Sequence, residues 1–125
     1  MDKIFGKSCE EIEVNPIKQN HMARMIAIYR TPKDPAAFDK HYFEIHIPLA
    51  KKLPGLLKYD VGRSPIISTT GHSDTYCIGT LHFESLEAIK TAFASPEGQA
   101  CAADRRIFAP NNEQVQIYLF DTVEV

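Results

Sequence analysis

Apolar and polar positions recur along the chain with a period that changes several times, and the changes mark out its elements. Ala23–Arg30 (ARMIAIYR) is a short β-branched and aromatic run closed by Thr31 and Pro32, which predicts a strand. Asp34 followed by Pro35 supplies an N-cap and an N1 proline, so a helix opens there. Its apolar stripe is Phe38, Tyr42, Ile45 and Leu49, with His46 one turn beyond Tyr42. Pro48 has no N–H to give the carbonyl of Glu44, which predicts a kink or restart before Pro54-Gly55 ends the helix. Residues 56–63 (LLKYDVGR) set Leu57, Tyr59 and Val61 against Lys58 and Asp60, the alternation of a second strand. A long connection holding Pro65 and Gly71 leads to a third strand over residues 75–84. Ser85 caps a helix with the stripe Leu86, Ile89 and Phe93; Ser95-Pro96-Glu97 starts another that runs to about residue 108. Residues 114–125 (QVQIYLFDTVEV) form the final strand.

The order β, α, β, β, α, β predicts an α+β, ferredoxin-like fold: a four-stranded antiparallel sheet with helices on one face. In the third strand Cys77, Gly79, Leu81 and Phe83 point one way, and Tyr76, Ile78, Thr80 and His82 the other. In the last strand Val115, Ile117 and Leu119 oppose Gln116, Tyr118 and Phe120. Helices cover one face only, and a solvated second face would carry more Lys, Glu and Ser. The Tyr118 side is therefore expected to meet a second copy of the chain, giving a homodimer. Residues 1–22 show no period and read as a poorly ordered extension or a cloning remnant, with 23–125 as the domain.

Composition narrows the class. The chain has 125 residues, suited to one domain, with 44% hydrophobic and 24% charged residues, too apolar for disorder. Fourteen Lys and Arg against sixteen Asp and Glu give a net charge of −2, which offers no basic footprint for nucleic acid or an anionic membrane surface. No apolar run is long enough for a membrane helix, and the start lacks a secretion signal, so a cytoplasmic protein is expected. Three cysteines without a CxxC pair argue against a disulfide framework or a structural zinc site; Cys77 and Cys101 read as small buried thiols. The glycines form neither a dinucleotide fingerprint nor a phosphate loop, so no cofactor is expected.

The run Tyr42-Phe43-Glu44-Ile45-His46-Ile47-Pro48-Leu49-Ala50, followed by Lys52-Leu53-Pro54-Gly55-Leu56 and Tyr59, resembles the signature of the EthD family. The resemblance extends from about residue 23 to the C-terminus. It implies a dimeric α+β barrel, in which two ferredoxin-like sheets pack face to face. It also implies a role in, or accessory to, oxidative catabolism of a small apolar compound, since the family is named for an operon that degrades ethyl tert-butyl ether. Wider relatives include polyketide cyclases, lactone isomerases, cofactor-free monooxygenases and haem-degrading enzymes, and fold alone does not choose among them. The catalytic histidine of the cyclase relatives would fall at Gly98 and its helper hydroxyl near Ala92, which argues against cyclase chemistry. Haem degradation is disfavoured because the helix from Pro96 holds no histidine.

His46 is the foremost candidate for chemistry, because an imidazole titrating near neutrality gives or takes a proton at cellular pH. Tyr42, one turn earlier, would assist it. The competing reading is structural, with His46 bonding a carbonyl freed by Pro48. A cavity between the first helix and the sheet would be walled by Gly79, Leu81, Phe83, Phe93 and Ile117, a lining suited to a small apolar or aromatic compound. His41 lies far round a regular helix from His46 and reads as a solvated residue. His82 reads as a bonded histidine of the dimer face, and His72 with Asp74 is too few groups for a metal site. Two functions stand: cofactor-free proton transfer by His46, of the oxidoreductase, isomerase or lyase kind, or non-catalytic binding of a hydrophobic metabolite.

Overall fold

A computed structural model describes residues 22–125, so all but Met22 of the expected extension lies outside the described residues. The elements follow as β1 (Ala23–Arg30), α1 (Pro35–His41), a π-helical turn (Tyr42–His46), α2 (Ile47–Ala50), β2 (Lys58–Gly62), β3 (Thr75–Phe83), α3 (Leu86–Ala94), α4 (Pro96–Phe108) and β4 (Val115–Asp121). The strands form one antiparallel sheet in the order β2-β3-β1-β4, the ferredoxin-like arrangement, with the helices on one side. Register places Ala27 opposite both Gly79 and Ile117, so three residues line up across the middle of the helix-facing side. Among the described residues no helix is long and apolar enough to cross a membrane.

The capping residues act as their chemistry requires. The Asp34 carboxylate accepts from the Ala37 N–H at 3.1 Å, Ser85 Oγ from Ala88 at 3.0 Å, and Ser95 Oγ from Gly98 at 3.1 Å. Gly98 is demanded by packing: a Cβ there would overlap the Ala92 carbonyl oxygen and the Phe93 backbone. No side chain of any kind fits at that position, a histidine included.

The segment around Pro48 departs from the expected α-helix. The proline lacks an N–H and its ring crowds the carbonyl four residues back. The chain widens one turn earlier, and the Ile47 N–H bonds the Tyr42 carbonyl five residues before it. Inward positions then recur every fourth residue, and Phe38, Tyr42, His46 and Ala50 are all buried. Ile45, expected in the buried stripe, is displaced outward and is 47% exposed.

The core has two parts. Leu81 and Phe83 of β3 pack against Ile89 and Ala92 of α3 and Cys101 of α4. Phe38 of α1 and Tyr42 of the π turn pack against Tyr29, Cys77 and Val115 of the sheet. On the other side of the sheet Ile26, Ile28 and Ile78 stay half-buried, and Tyr118 and Phe120 are 49% and 39% exposed. Tyr76 does not join them. A register shift between Tyr29 and Arg30 lies beside it, and its ring meets Phe38 edge-on while its hydroxyl donates to Asp39 at 2.9 Å.

Candidate active site

His46 is carried inward by the π turn and is 5% exposed. Its Nδ1 lies 2.9 Å from Oδ2 of Asp104 on α4. Phe108 meets the ring edge-on at a centroid distance of 4.8 Å, and Tyr42 stacks on it at 5.7 Å. An ionised carboxylate accepts only, so the bond to Asp104 holds the proton of neutral His46 on Nδ1 and leaves Nε2 as the unprotonated nitrogen. Burial lowers the His46 pKa below its ordinary value, and this outweighs the opposing pull of the Asp104 hydrogen bond and charge. The imidazole is therefore neutral at pH 7, the state of a base.

Asp104 also accepts from Nε2 of His41, at 2.9 and 3.1 Å from its two oxygens. His41 is thus not a solvated residue. On a regular α-helix positions 41 and 46 diverge, whereas a π turn brings positions five apart into line. The nitrogens are bonded to the carboxylate itself, and among the described residues no three His, Cys, Asp or Glu side chains are placed to hold a metal ion. The outer side of His41 faces an open depression of about 800 Å³ that also touches Arg30, Asp34, Phe108 and Glu113.

Beside His46 lies a small cavity of about 40 Å³. Met25, Ala27, Ala50, Leu81, Phe93 and Ile117 supply its apolar walls, and Tyr29, Tyr59 and Arg105 join His46 as its polar members. Of the expected walls, Leu81, Phe93 and Ile117 line it, but Gly79 and Phe83 do not. The space above Gly79 is taken by the Tyr42 hydroxyl, which would sit 2.6 Å from a Cβ there. Phe83 is wholly enclosed in the neighbouring core.

Tyr42, expected beside the reacting atoms, is fully buried and lies outside the cavity lining. Its hydroxyl pairs with that of Tyr59 at 2.8 Å. If Tyr42 donates, the Tyr59 proton is left to point into the cavity. Burial pushes Tyr59 up to about 12, so this phenol stays protonated as a donor. Tyr42 thus contacts both the Tyr59 hydroxyl and the His46 ring. Burial likewise pushes Cys77 and Cys101 up to about 11, which keeps both free thiols from acting as nucleophiles. His82, on the open face, bonds Asp60 at 3.0 Å.

Asp104, Tyr59 and Arg105 are the members that sequence reasoning missed. For Asp104 a signal exists: it follows Gly98 and Cys101 at three-residue spacing on the inward face of α4. A carboxylate on such a stripe needs a partner, and a histidine on the facing helix is one.

The fold defines a ferredoxin-like α+β protein with a histidine–aspartate pair under its helices. The EthD domain family model matches residues 30–111. An uncharacterised 11.0 kDa protein from the thcB-thcC intergenic region of Rhodococcus erythropolis is 41% identical over 88 residues, covering 70% of this chain and 84% of that protein. The crystal structure of an ethyl tert-butyl ether d (EthD) family protein from Bacillus halodurans superposes with a TM-score of 0.73 at 32% identity, over 81% of this chain and 98% of that one. The chain belongs to the EthD family. A dimeric ferredoxin-like protein of unknown function from Thermobifida fusca shares the fold at 15% identity, with a TM-score of 0.61 over 83% of this chain and 93% of that one.

Proposed function

We propose that this EthD-family protein is a cofactor-free enzyme in which His46 acts as a general base on a small, largely apolar organic compound, in or beside an oxidative catabolic route. One observation carries this reading: Asp104 holds His46 by Nδ1, and the histidine lines a cavity with Nε2 uncommitted among the described residues. Orientation of an imidazole by a buried carboxylate is the arrangement a general base needs. Tyr59 would hold the compound in place, with Tyr42 behind it. The family's link to ether degradation supports the catabolic setting. The chain is also proposed to work as a homodimer through its exposed aromatic sheet face, as the dimeric description of a protein of the same fold supports.

The test is hydrogen–deuterium exchange, followed by NMR, into a panel of small ketones, esters, ethers and hydrocarbons. Wild type should exchange at least one carbon-bound proton. His46→Ala should abolish the exchange with the fold intact, and Asp104→Asn should slow it about 100-fold or more. Exchange that survives in His46→Ala rejects the base. Saturable binding with no exchange in wild type would favour the second reading, a binding module, which the largely apolar wall also suits.

A further inference from the structure

The cavity holds one polar group for which the base has no use. Tyr29, on β1, is 2% exposed and lines the cavity, yet its hydroxyl has no hydrogen-bond partner among the described residues. Its ring is fixed by Phe38 and Tyr42 at centroid distances of 5.4 and 5.3 Å, so the hydroxyl cannot swing out to water. Tyr59 and Arg105 line the same cavity. Arg105 uses Nη1 to bond the Ala109 carbonyl at 2.7 Å, and its other N–H groups have no partner among the described residues. A buried phenol without a partner is rare in folded proteins, and where it faces a cavity it marks the place of a ligand acceptor.

We propose that Tyr29 and Arg105 form the oxygen-binding end of the cavity, and that the compound taken there is a small enolisable carbonyl compound. This inference rests on His46 as the base and adds the substrate class. In the step, the C–H bond next to the carbonyl breaks and its proton goes to Nε2 of His46. The bonding pair becomes the C=C bond of an enolate, and the carbonyl π pair moves onto oxygen. Tyr29, 2% exposed, donates to that oxygen and the part-buried Arg105 guanidinium offsets its charge. Return of the proton to carbon completes an exchange or an isomerisation with no oxidant or reductant. An ether or hydrocarbon offers neither the acidified C–H nor the charge that this end is built to meet.

Butanone and diethyl ether, which have equal numbers of heavy atoms, distinguish the classes. Their binding can be followed by ligand-detected NMR on the full chain. Wild type should bind butanone at least tenfold more tightly than diethyl ether. Tyr29→Phe should remove that preference by weakening the ketone more than the ether, and Arg105→Gln should reduce it. Tyr29→Phe deletes an oxygen that bonds nothing among the described residues, so the fold should hold; the arginine variant gives a second reading of the same end. His46→Ala should keep the binding preference and lose the α-deuterium exchange of butanone. A wild type without the preference, or a Tyr29→Phe protein that retains it, overturns the proposal. Exchange persisting in His46→Ala with the preference intact rejects the base and leaves the oxygen end standing.

Discussion

The proposed role of His46 as a base rests on three neighbours that restrict it: Asp104 fixes the tautomer, while Phe108 and Tyr42 fix the ring plane. Burial lowers its pKa, so the acid limb of a kcat/KM profile should inflect below the usual histidine value of about 6.5. The same shift has a sign for stability. Below about pH 6.5 the unfolded chain binds a proton that the folded chain refuses, so stability should fall with pH from there down to the folded-state value. A fold stability independent of pH between about 7 and 5, compared in wild type and His46→Gln, would contradict this. Gly79→Ala tests the tyrosine pair at the same scale. The new methyl would lie 2.6 Å from the Tyr42 hydroxyl, which must then leave Tyr59. The expected cost is about 1–3 kcal/mol in denaturant melts, together with a raised KM as Tyr59 loses its support.

At the scale of elements, the π turn determines which side chains reach the site. Deleting the exposed Glu44 should let the segment return to α-helical hydrogen bonding with His41 and His46, then four positions apart, still on one face. The expected result is a folded protein in which Asp104 keeps both histidines, read from the imidazole NMR signals, and in which exchange survives. The elements themselves were legible because their ends carry chemistry: Asp34-Pro35, Ser85 and Ser95-Pro96 announce helices, a β-branched and aromatic run announces Ala23–Arg30, and alternation announces Lys58–Gly62. Pro48 announced a disturbance but not its form. Reading with a period of 3.6 placed Ile45 inside and His41 outside, and the widened turn reverses both. The Asp104 contact spans 58 residues of sequence, and nothing local to either helix specifies it. The filled space over Gly79 was equally hidden, because a glycine alone does not say what occupies the room it leaves.

For the whole molecule, the unhelixed side of the sheet is the feature that asks for a partner. Ile26, Ile28 and Ile78 form its centre, with Tyr118 and Phe120 beside them on the edge strand β4. Sedimentation should give a species of twice the chain mass at micromolar concentration, and Phe120→Lys, which brings a charge to that surface, should shift it to the single chain. A wild-type chain that sediments alone would contradict the pairing. The cavity lies on the opposite side of the sheet, under the helices. Two full layers of hydrogen-bonded strands would then separate one cavity from its twin, with no shared wall and no helix passing between them. Saturation should accordingly follow a simple hyperbola with a Hill coefficient of about 1, and the first molecule bound should leave the second compartment unaware of it.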